Sequence, residues 1–157
     1  MTQHIGIVAC SAEGAALCYR TIALEGAHLM GTHDHPEVSM HTHSLARYMD
    51  CIYAGDWPGV ADLMLSSAGK LASAGADFLI CPDNTIHQAF DLVEARSPRP
   101  CLHIAQAVAS EARRRHFKRI GVLGTRYLME GPAYPDNLQA AALNHRIPRA
   151  QGAGEDP

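Results

Sequence analysis

The stretch D-F-L-I-C-P-D-N-T-I-H, residues 77–87, is the clearest indicator of the fold class in this sequence. Its first half is a short, almost continuous apolar run, which is typical of a strand buried on both faces of a parallel sheet. Polar residues follow at 83–85, and residues 84–95 have the pattern of a helix. A buried strand that leads directly into a helix is the repeating unit of α/β proteins. The stretch therefore predicts one such unit, with polar side chains at its junction.

The same unit recurs on both sides of this stretch. Further strands are predicted at residues 5–10, 38–43, 101–104 and 119–124, and further helices at residues 15–29, 57–75, 105–116 and 128–143. Asp56 is the predicted N-cap of the helix 57–75, with Pro58 in the first turn. This alternation predicts an α/β fold with a parallel sheet, right-handed crossovers and helices on both faces.

The composition suits one compact domain, because 47% of the 157 residues are hydrophobic. Residues 144–157 hold little to bury and no regular pattern, and we expect them to be disordered. Five cysteines without C-x-x-C spacing indicate reduced thiols. No apolar run is long enough to cross a bilayer and no signal peptide is evident, so we expect a cytoplasmic protein without a membrane partner.

The charge pattern argues against nucleic acid as a partner. The formal net charge is -3, and the only dense basic run lies at residues 113–119. This run coincides with the predicted end of a helix, where cations suit the helix dipole.

Polar residues follow four of the predicted strands. In a parallel sheet these strand ends lie at one edge, which would bring together residues 10–11, 41–43, 83–85 and 124–126. Asn and Thr side chains and the free N–H groups of helix starts suit a small anion such as a carboxylate. We therefore predict a small acid as ligand. No glycine-rich phosphate loop is present, and no cofactor is predicted.

Four segments carry a family resemblance. They are I-G-I-V-A-C-S at 5–11, G-A-D-F-L-I-C-P-D-N-T-I-H at 75–87, L-H-I-A at 102–105 and K-R-I-G-V-L-G-T-R-Y-L-M-E at 118–130. Together they resemble the N-terminal lobe of the aspartate/glutamate racemase family, amino-acid racemases that work without pyridoxal phosphate. The resemblance covers residues 4–143 and implies a flavodoxin-like three-layer lobe. It also implies an aspartate or glutamate substrate and pairing as a homodimer.

The resemblance implies a two-lobed enzyme in which one thiol from each lobe moves the α-proton on opposite faces of the substrate. Inversion by proton transfer needs a base on one face and an acid on the other. The sequence departs from this pattern twice. Asp83 stands where the family has its first thiol, and carboxylates are weaker bases than thiolates. The G-C-T-E segment of the second lobe does not occur in these residues. We therefore expect a first lobe at 1–143, an absent second lobe and impaired racemisation.

Asp83 is the predicted catalytic base, and its alternative role is to cap the helix that follows it. Two thiols are rivals. Cys81 could serve after a shift in register, and Cys10 lies before a helix whose dipole would lower its pKa.

The resemblance and the positions at strand ends together give the remaining site residues. The predicted substrate-binding residues are Cys10, Ser11, His43, Asn84, Thr85, Thr125 and Arg126. The alternative for Asn84, Thr85 and Thr125 is capping of the helices that they precede, and Arg126 could instead pair with Glu130 one turn later.

Other functions stay open at this point. Four histidines at positions 33, 35, 41 and 43 could bind zinc, since alternate residues of a strand face the same side. The preferred interpretation has no metal. A hydantoin racemase, a maleate isomerase, a malonate decarboxylase and a non-catalytic small-acid binder are the further alternatives.

Overall fold

A parallel sheet forms the centre of the first part of the chain. The computed structural model describes residues 2–148. The strands are β1 Ile5–Ala9, β2 Val38–Thr42, β3 Phe78–Ile80 and β4 Cys101–Leu102, in the order β2-β1-β3-β4. Strand β1 pairs with two neighbours, so that Ile7 lies opposite both Met40 and Ile80. The predicted strands and the α/β fold class are confirmed.

Helices connect these strands. They are α1 Ala12–Met30, α2 Leu45–Ala54, α3 Trp57–Ser73, a 3-10 helix Thr85–Ala89 and α4 Phe90–Glu94. Asp56 caps α3 as predicted, because its carboxylate accepts a hydrogen bond from the N–H of Gly59 at 2.9 Å. Helix α2 was not predicted.

The two faces of the sheet are covered by different helices. Ile7 and Ala9 of β1 pack with Ala15 of α1. Gly6 directly precedes Ile7 in the strand and therefore faces the opposite side, where Leu71 of α3 is a neighbour. The predicted helices on both faces are confirmed.

The strand order creates a switch point. From β1 the chain passes to β2 on one side, and β3 lies on the other side of β1. Connections that leave in opposite directions open a crevice at the carboxyl ends of the strands, which is where ligands bind in open α/β sheets. In this protein the strand order places that switch point at the carboxyl ends of β1 and β3.

The chain divides after Ile104 into a second compact unit. It contains α5 Ile104–Arg114 except for its first residue, and then β5 Arg119–Gly121, α6 Arg126–Glu130, α7 Ala133–Ala140 and β6 Asn144–Arg146. Strands β5 and β6 form a separate parallel pair in which Ile120 lies opposite His145. The expectation that residues 119–124 extend the first sheet is therefore wrong. The second unit instead starts a strand–helix–strand arrangement of its own.

Disorder is predicted from residue 144 onward, but the first residues of that segment form strand β6. The N–H of Val122 donates to the carbonyl of Arg146 at 2.8 Å, and the N–H of Asn144 donates to the carbonyl of Lys118 at 3.2 Å. Strand pairing of this kind uses the backbone alone, so a segment without apolar side chains can still join a sheet. The rest of the predicted tail, residues 149–157, lies outside the described part of the chain.

The second unit has its own apolar cluster, which includes Ala109, Val122, Leu128 and Leu138. The single helix predicted at 128–143 is two helices, because Gly131 and Pro132 separate α6 from α7. Across residues 2–148, no helix is both long enough and apolar enough to span a bilayer.

Candidate active site

The carboxylate of Asp83 lies at the start of α1. Its Oδ2 accepts hydrogen bonds from the N–H of Cys10 at 3.2 Å and from the N–H of Ser11 at 3.1 Å. Free N–H groups and the positive end of the dipole make a helix start a favourable place for an anion. The 3-10 helix Thr85–Ala89 follows, and the side chain of its N-cap residue Asn84 makes no cap hydrogen bond. The Asp83 carboxylate supports the start of α1, and its role as a cap of the helix that follows it stays a prediction.

Ser11 and Gly14 allow the segment around Asp83 to lie close to the first turn of α1. The Ser11 Oγ accepts a hydrogen bond from the N–H of Gly14 at 3.2 Å, which makes Ser11 the N-cap of α1. A Cβ at Gly14 would lie 3.1 Å from the Pro82 carbonyl oxygen and 3.5 Å from the Asp83 Oδ2. The absence of a side chain at this position lets the segment after β3 lie against the first turn of α1.

The two nearby thiols are poor bases. Burial, and then the negative charge of Asp83, raises the pKa of Cys10 to about 12. Burial also raises the pKa of Cys81 well above its ordinary value. The prediction that a helix dipole lowers the pKa of Cys10 is therefore wrong, because loss of solvent dominates. Asp83 is therefore a better candidate base than either thiol.

His87 holds the backbone of Asp83 in place. Its Nε2 accepts a hydrogen bond from the N–H of Ile104 at 3.3 Å, so its Nδ1 carries the proton and donates to the Asp83 carbonyl at 2.8 Å. The ring stacks on Phe90 with centroids 5.4 Å apart. Burial lowers the pKa of His87 to about 4. The sequence alone indicates no role for His87, although the N-T-I-H motif contains it.

His43 follows β2 at the same edge of the sheet, since Thr42 lies opposite Ala9. Its ring nitrogens lie 3.1 Å from the Ser66 Oγ and 3.3 Å from the Arg47 Nη1. Burial and the neighbouring positive charges lower the pKa of His43. A neutral imidazole that accepts a hydrogen bond from a guanidinium is consistent with this environment.

The zinc alternative is not supported by the arrangement of the histidines. His33 and His35 are exposed, whereas His41 bonds to Ser67 and Lys70. Within residues 2–148, no group of three or more His, Cys, Asp or Glu side chains is placed to hold a metal ion.

The structure brings six predicted site residues to one edge of the first sheet. These are Cys10, Ser11, His43, Asp83, Asn84 and Thr85. Thr125 and Arg126 belong to the second unit. There the Thr125 Oγ1 caps α6 by accepting from the N–H of Leu128 at 3.3 Å. The Arg126 Nε lies 3.5 Å from the Glu130 Oε2, which is the alternative that the sequence left open.

Fold and site together define an α/β protein that places a carboxylate and polar side chains at the switch point of a parallel sheet, as binders of small ligands do. The chain belongs to the Asp/Glu/Hydantoin racemase family, whose family model matches residues 5–155. The match extends past residue 143, the boundary predicted for the first lobe.

Solved structures agree with this membership. A Yersinia pestis protein assigned to the Asp/Glu racemases is 28% identical over 95% of this chain, with a TM-score of 0.87. An aspartate racemase homologue from Pyrococcus horikoshii OT3 is 24% identical over 95% of this chain, with a TM-score of 0.82. Glutamate racemase from Aquifex pyrophilus is 19% identical over 92% of this chain, with a TM-score of 0.71. The last two likenesses show the fold alone.

The chain is shorter than these proteins. It spans 66% of the length of the Yersinia and Pyrococcus proteins and 54% of the Aquifex enzyme.

Proposed function

We propose that this chain provides Asp83 as the proton-transferring base of a cofactor-independent amino-acid racemase that acts on aspartate or glutamate. The observation that carries the proposal is the position of Asp83. It precedes Asn84 and Thr85 at the switch point, where two backbone N–H groups hold its carboxylate and both neighbouring thiols stay protonated. Family membership supports an isomerase.

The proposed chemistry removes a proton from a carbon and returns a proton to the same carbon. The Asp83 carboxylate accepts the α-proton on one face and becomes a carboxylic acid, and the electron pair of the C–H bond is delocalised into the substrate carboxyl group. An acid on the opposite face must then supply a proton to give the other enantiomer. We assign no residue between 2 and 148 to that second role, so the chain alone is expected to exchange the α-proton with little inversion.

The test is proton exchange in deuterated water. The protein is incubated with each enantiomer of aspartate and glutamate, and loss of the α-proton signal is followed by NMR. We expect exchange that Asp83→Asn abolishes, while Asp34→Asn, which alters an exposed loop carboxylate, leaves the rate unchanged. Equal exchange by the wild type and Asp83→Asn would remove Asp83 from the mechanism.

A second candidate is hydantoin racemisation. A neutral hydantoin ring has a more acidic carbon than a free amino acid, so a carboxylate base is better matched to it. The hydrogen bonds from Cys10 and Ser11 to Asp83 also occupy the N–H groups that would otherwise bind a substrate carboxylate. Exchange at the ring carbon of substituted hydantoins, faster than at aspartate or glutamate, would favour this activity.

A panel of small acids separates the remaining alternatives. Turnover of maleate or malonate derivatives would indicate the other activities predicted from the resemblance. Thermal stabilisation by dicarboxylates without any exchange would indicate a non-catalytic binder. The homodimer and the cytoplasmic location stay predictions from the sequence.

A further inference from the structure

His87 connects the segment that follows β3 to the residues just beyond β4. It is 2% exposed, and each of its ring nitrogens has a main-chain partner. The Nδ1–H donates to the Asp83 carbonyl at 2.8 Å, and Nε2 accepts from the N–H of Ile104 at 3.3 Å. His87 therefore ties the main chain of the proposed base to a second strand end of the first sheet.

The ring of His87 is held by its neighbours as well as by these bonds. It stacks on Phe90 with an interplanar angle of 5°, and the centroid of the His103 ring lies 4.9 Å from its own. Because the Ile104 N–H can only donate, Nε2 carries no proton, and the neutral ring has its proton on Nδ1. The donor that the Asp83 carbonyl receives is thus fixed in position and in chemical form.

The two ends of Asp83 are held by bonds of different kinds. Its Oδ2 accepts from the N–H groups of Cys10 and Ser11, and such bonds are roughly twice as strong when the acceptor is ionised. The bond from His87 reaches a carbonyl oxygen, whose charge does not change when the carboxylate takes up a proton. The Cys81 Sγ lies 3.8 Å from the same oxygen, but a thiol is a weak donor. Protonation of the carboxylate therefore weakens the side-chain bonds and leaves the His87 bond as it was.

We propose that His87 is a positioning residue of the proposed reaction, whose bond to the main chain keeps Asp83 in place while its carboxyl group carries the abstracted proton. The α-proton moves to Asp83, and the resulting acid must stay at the ligand until it releases or returns that proton. Proton transfer requires hydrogen-bond reach, and a displacement of about 1 Å can lower a rate about 100-fold. The inference rests on the proposed role of Asp83.

The first test uses the wild-type protein and no substrate. In protein with nitrogen-labelled histidine, the NMR chemical shifts of the ring nitrogens distinguish the two neutral tautomers. At neutral pH we expect the proton of His87 on Nδ1 and a bare Nε2. A proton on Nε2 would leave the Asp83 carbonyl without this donor and would overturn the proposal.

The second test compares two substitutions that each keep one of the two bonds. The amide of asparagine reaches about as far from the main chain as Nδ1, so His87→Asn can still donate to the Asp83 carbonyl but loses the bond from Ile104. The longer glutamine places its amide near Nε2, so His87→Gln can still accept from Ile104 and loses the bond to Asp83. Both variants lose the ring that stacks on Phe90, so a purely structural role predicts similar losses.

The positioning role predicts that activity follows the bond to Asp83. We expect the kcat of α-proton exchange to fall roughly 10- to 100-fold in His87→Gln with little change in KM, and by only about three-fold in His87→Asn. Circular dichroism verifies that both variants are folded at the assay temperature. Equal losses in the two variants, or a greater loss in His87→Asn, would overturn the proposal.

A third measurement separates this inference from the proposed activity, because it needs no turnover. Asp83→Asn has a neutral side chain and therefore resembles the protonated form of Asp83. Amide hydrogen exchange at Cys10 and Ser11 reports whether the side chain at position 83 still accepts from their N–H groups. Adding His87→Gln to Asp83→Asn should speed this amide exchange roughly ten-fold, whereas adding His87→Asn should leave it slow.

The outcomes of the two kinds of measurement are distinct. If no tested substrate loses its α-proton, the proposed function fails, but faster amide exchange in the double variant with His87→Gln alone would still support the positioning by His87. Equal amide exchange in the two double variants would refute it, whatever the activity of the wild type.

Discussion

Asp83 combines two tasks in one carboxylate. The group that is proposed to accept a proton also accepts hydrogen bonds from the two residues that precede α1, 73 and 72 positions earlier in the chain. Loss of exchange in a variant could therefore come from frayed structure at α1. Asp83→Asn is the informative change, because its amide oxygen can still accept these bonds while the basic group is gone.

The Cys10 thiol provides a prediction about reactivity. Because its pKa is raised to about 12, it is almost fully protonated at neutral pH, and the thiolate is the reactive form. We expect iodoacetamide to modify Cys10 much more slowly than the less buried Cys51. Mass spectrometry of peptides from the native protein measures both rates. Faster modification of Cys10 would contradict the environment described here.

The sequence predicted where Asp83, Ser11 and Thr125 lie, because each follows a clear apolar run and precedes a helix. It could not predict which helix the Asp83 carboxylate supports, since that contact joins residues far apart in the chain. The pKa of Cys10 was predicted in the wrong direction for a related reason. A position before a helix is visible in the sequence, whereas the degree of burial depends on the packing of several elements.

At the scale of elements, the contact between β1 and its neighbours depends on Gly6. A Cβ at this position would lie 2.6 Å from the Leu79 Cδ2 and 3.0 Å from the Ala76 Cβ. We expect Gly6→Ala to lower the free energy of unfolding by about 1–3 kcal/mol, because the neighbours must shift. Urea denaturation monitored by circular dichroism measures the change.

Gly69 provides the matched control. It lies within α3, is exposed, and a Cβ there would meet nothing within 4 Å. Gly69→Ala should raise the free energy of unfolding by roughly 0.5–1 kcal/mol, as expected for alanine in a helix interior. Equal effects of the two substitutions would contradict the packing described for β1.

Elements with strong local signals were predicted, and those that depend on partners were not. Helix α3 has a capping Asp56 and Pro58 in its first turn, and both are visible in the sequence. Helix α2 has Ser44 as its N-cap residue, without a side-chain cap bond, and buries only two residues, Tyr48 and Ile52. Strand β6 has three exposed residues and is defined by its pairing with β5. No local pattern could have revealed it.

For the whole molecule, burial of His87 predicts a pH-dependent stability. The ordinary pKa of histidine is 6.5, and the folded protein lowers the pKa of His87 to about 4. Between these values the unfolded chain binds more protons than the folded one, so the stability present above pH 6.5 is lost as the pH falls toward 4. The expected loss from this residue is about 3 kcal/mol.

The measurement is chemical unfolding at a series of pH values. His87→Gln should show a shallower decline than the wild type, because the titrating group is gone, whatever its stability at neutral pH. His33→Gln, at an exposed loop position, should retain the wild-type slope. Parallel declines in all three proteins would show that His87 does not control the acid sensitivity.

The organisation of the chain into two units was the least predictable feature. Alternating strands and helices indicate a parallel sheet but contain no signal for where one sheet ends and another begins. The apolar run at 119–124 resembles the earlier strands, yet β5 pairs with β6 and not with β4. The choice is made by long-range pairing, which composition and periodicity do not encode.

The hydrogen bonds between α1 and Asp83 also make the protein a candidate for chemical rescue. In Asp83→Ala the N–H groups of Cys10 and Ser11 lose their acceptor, while the helix dipole still favours an anion there. An exogenous carboxylate as small as formate could then occupy the vacated position and serve as a diffusible base. Exchange by Asp83→Ala should recover with rising formate concentration, and larger acids should restore it progressively less.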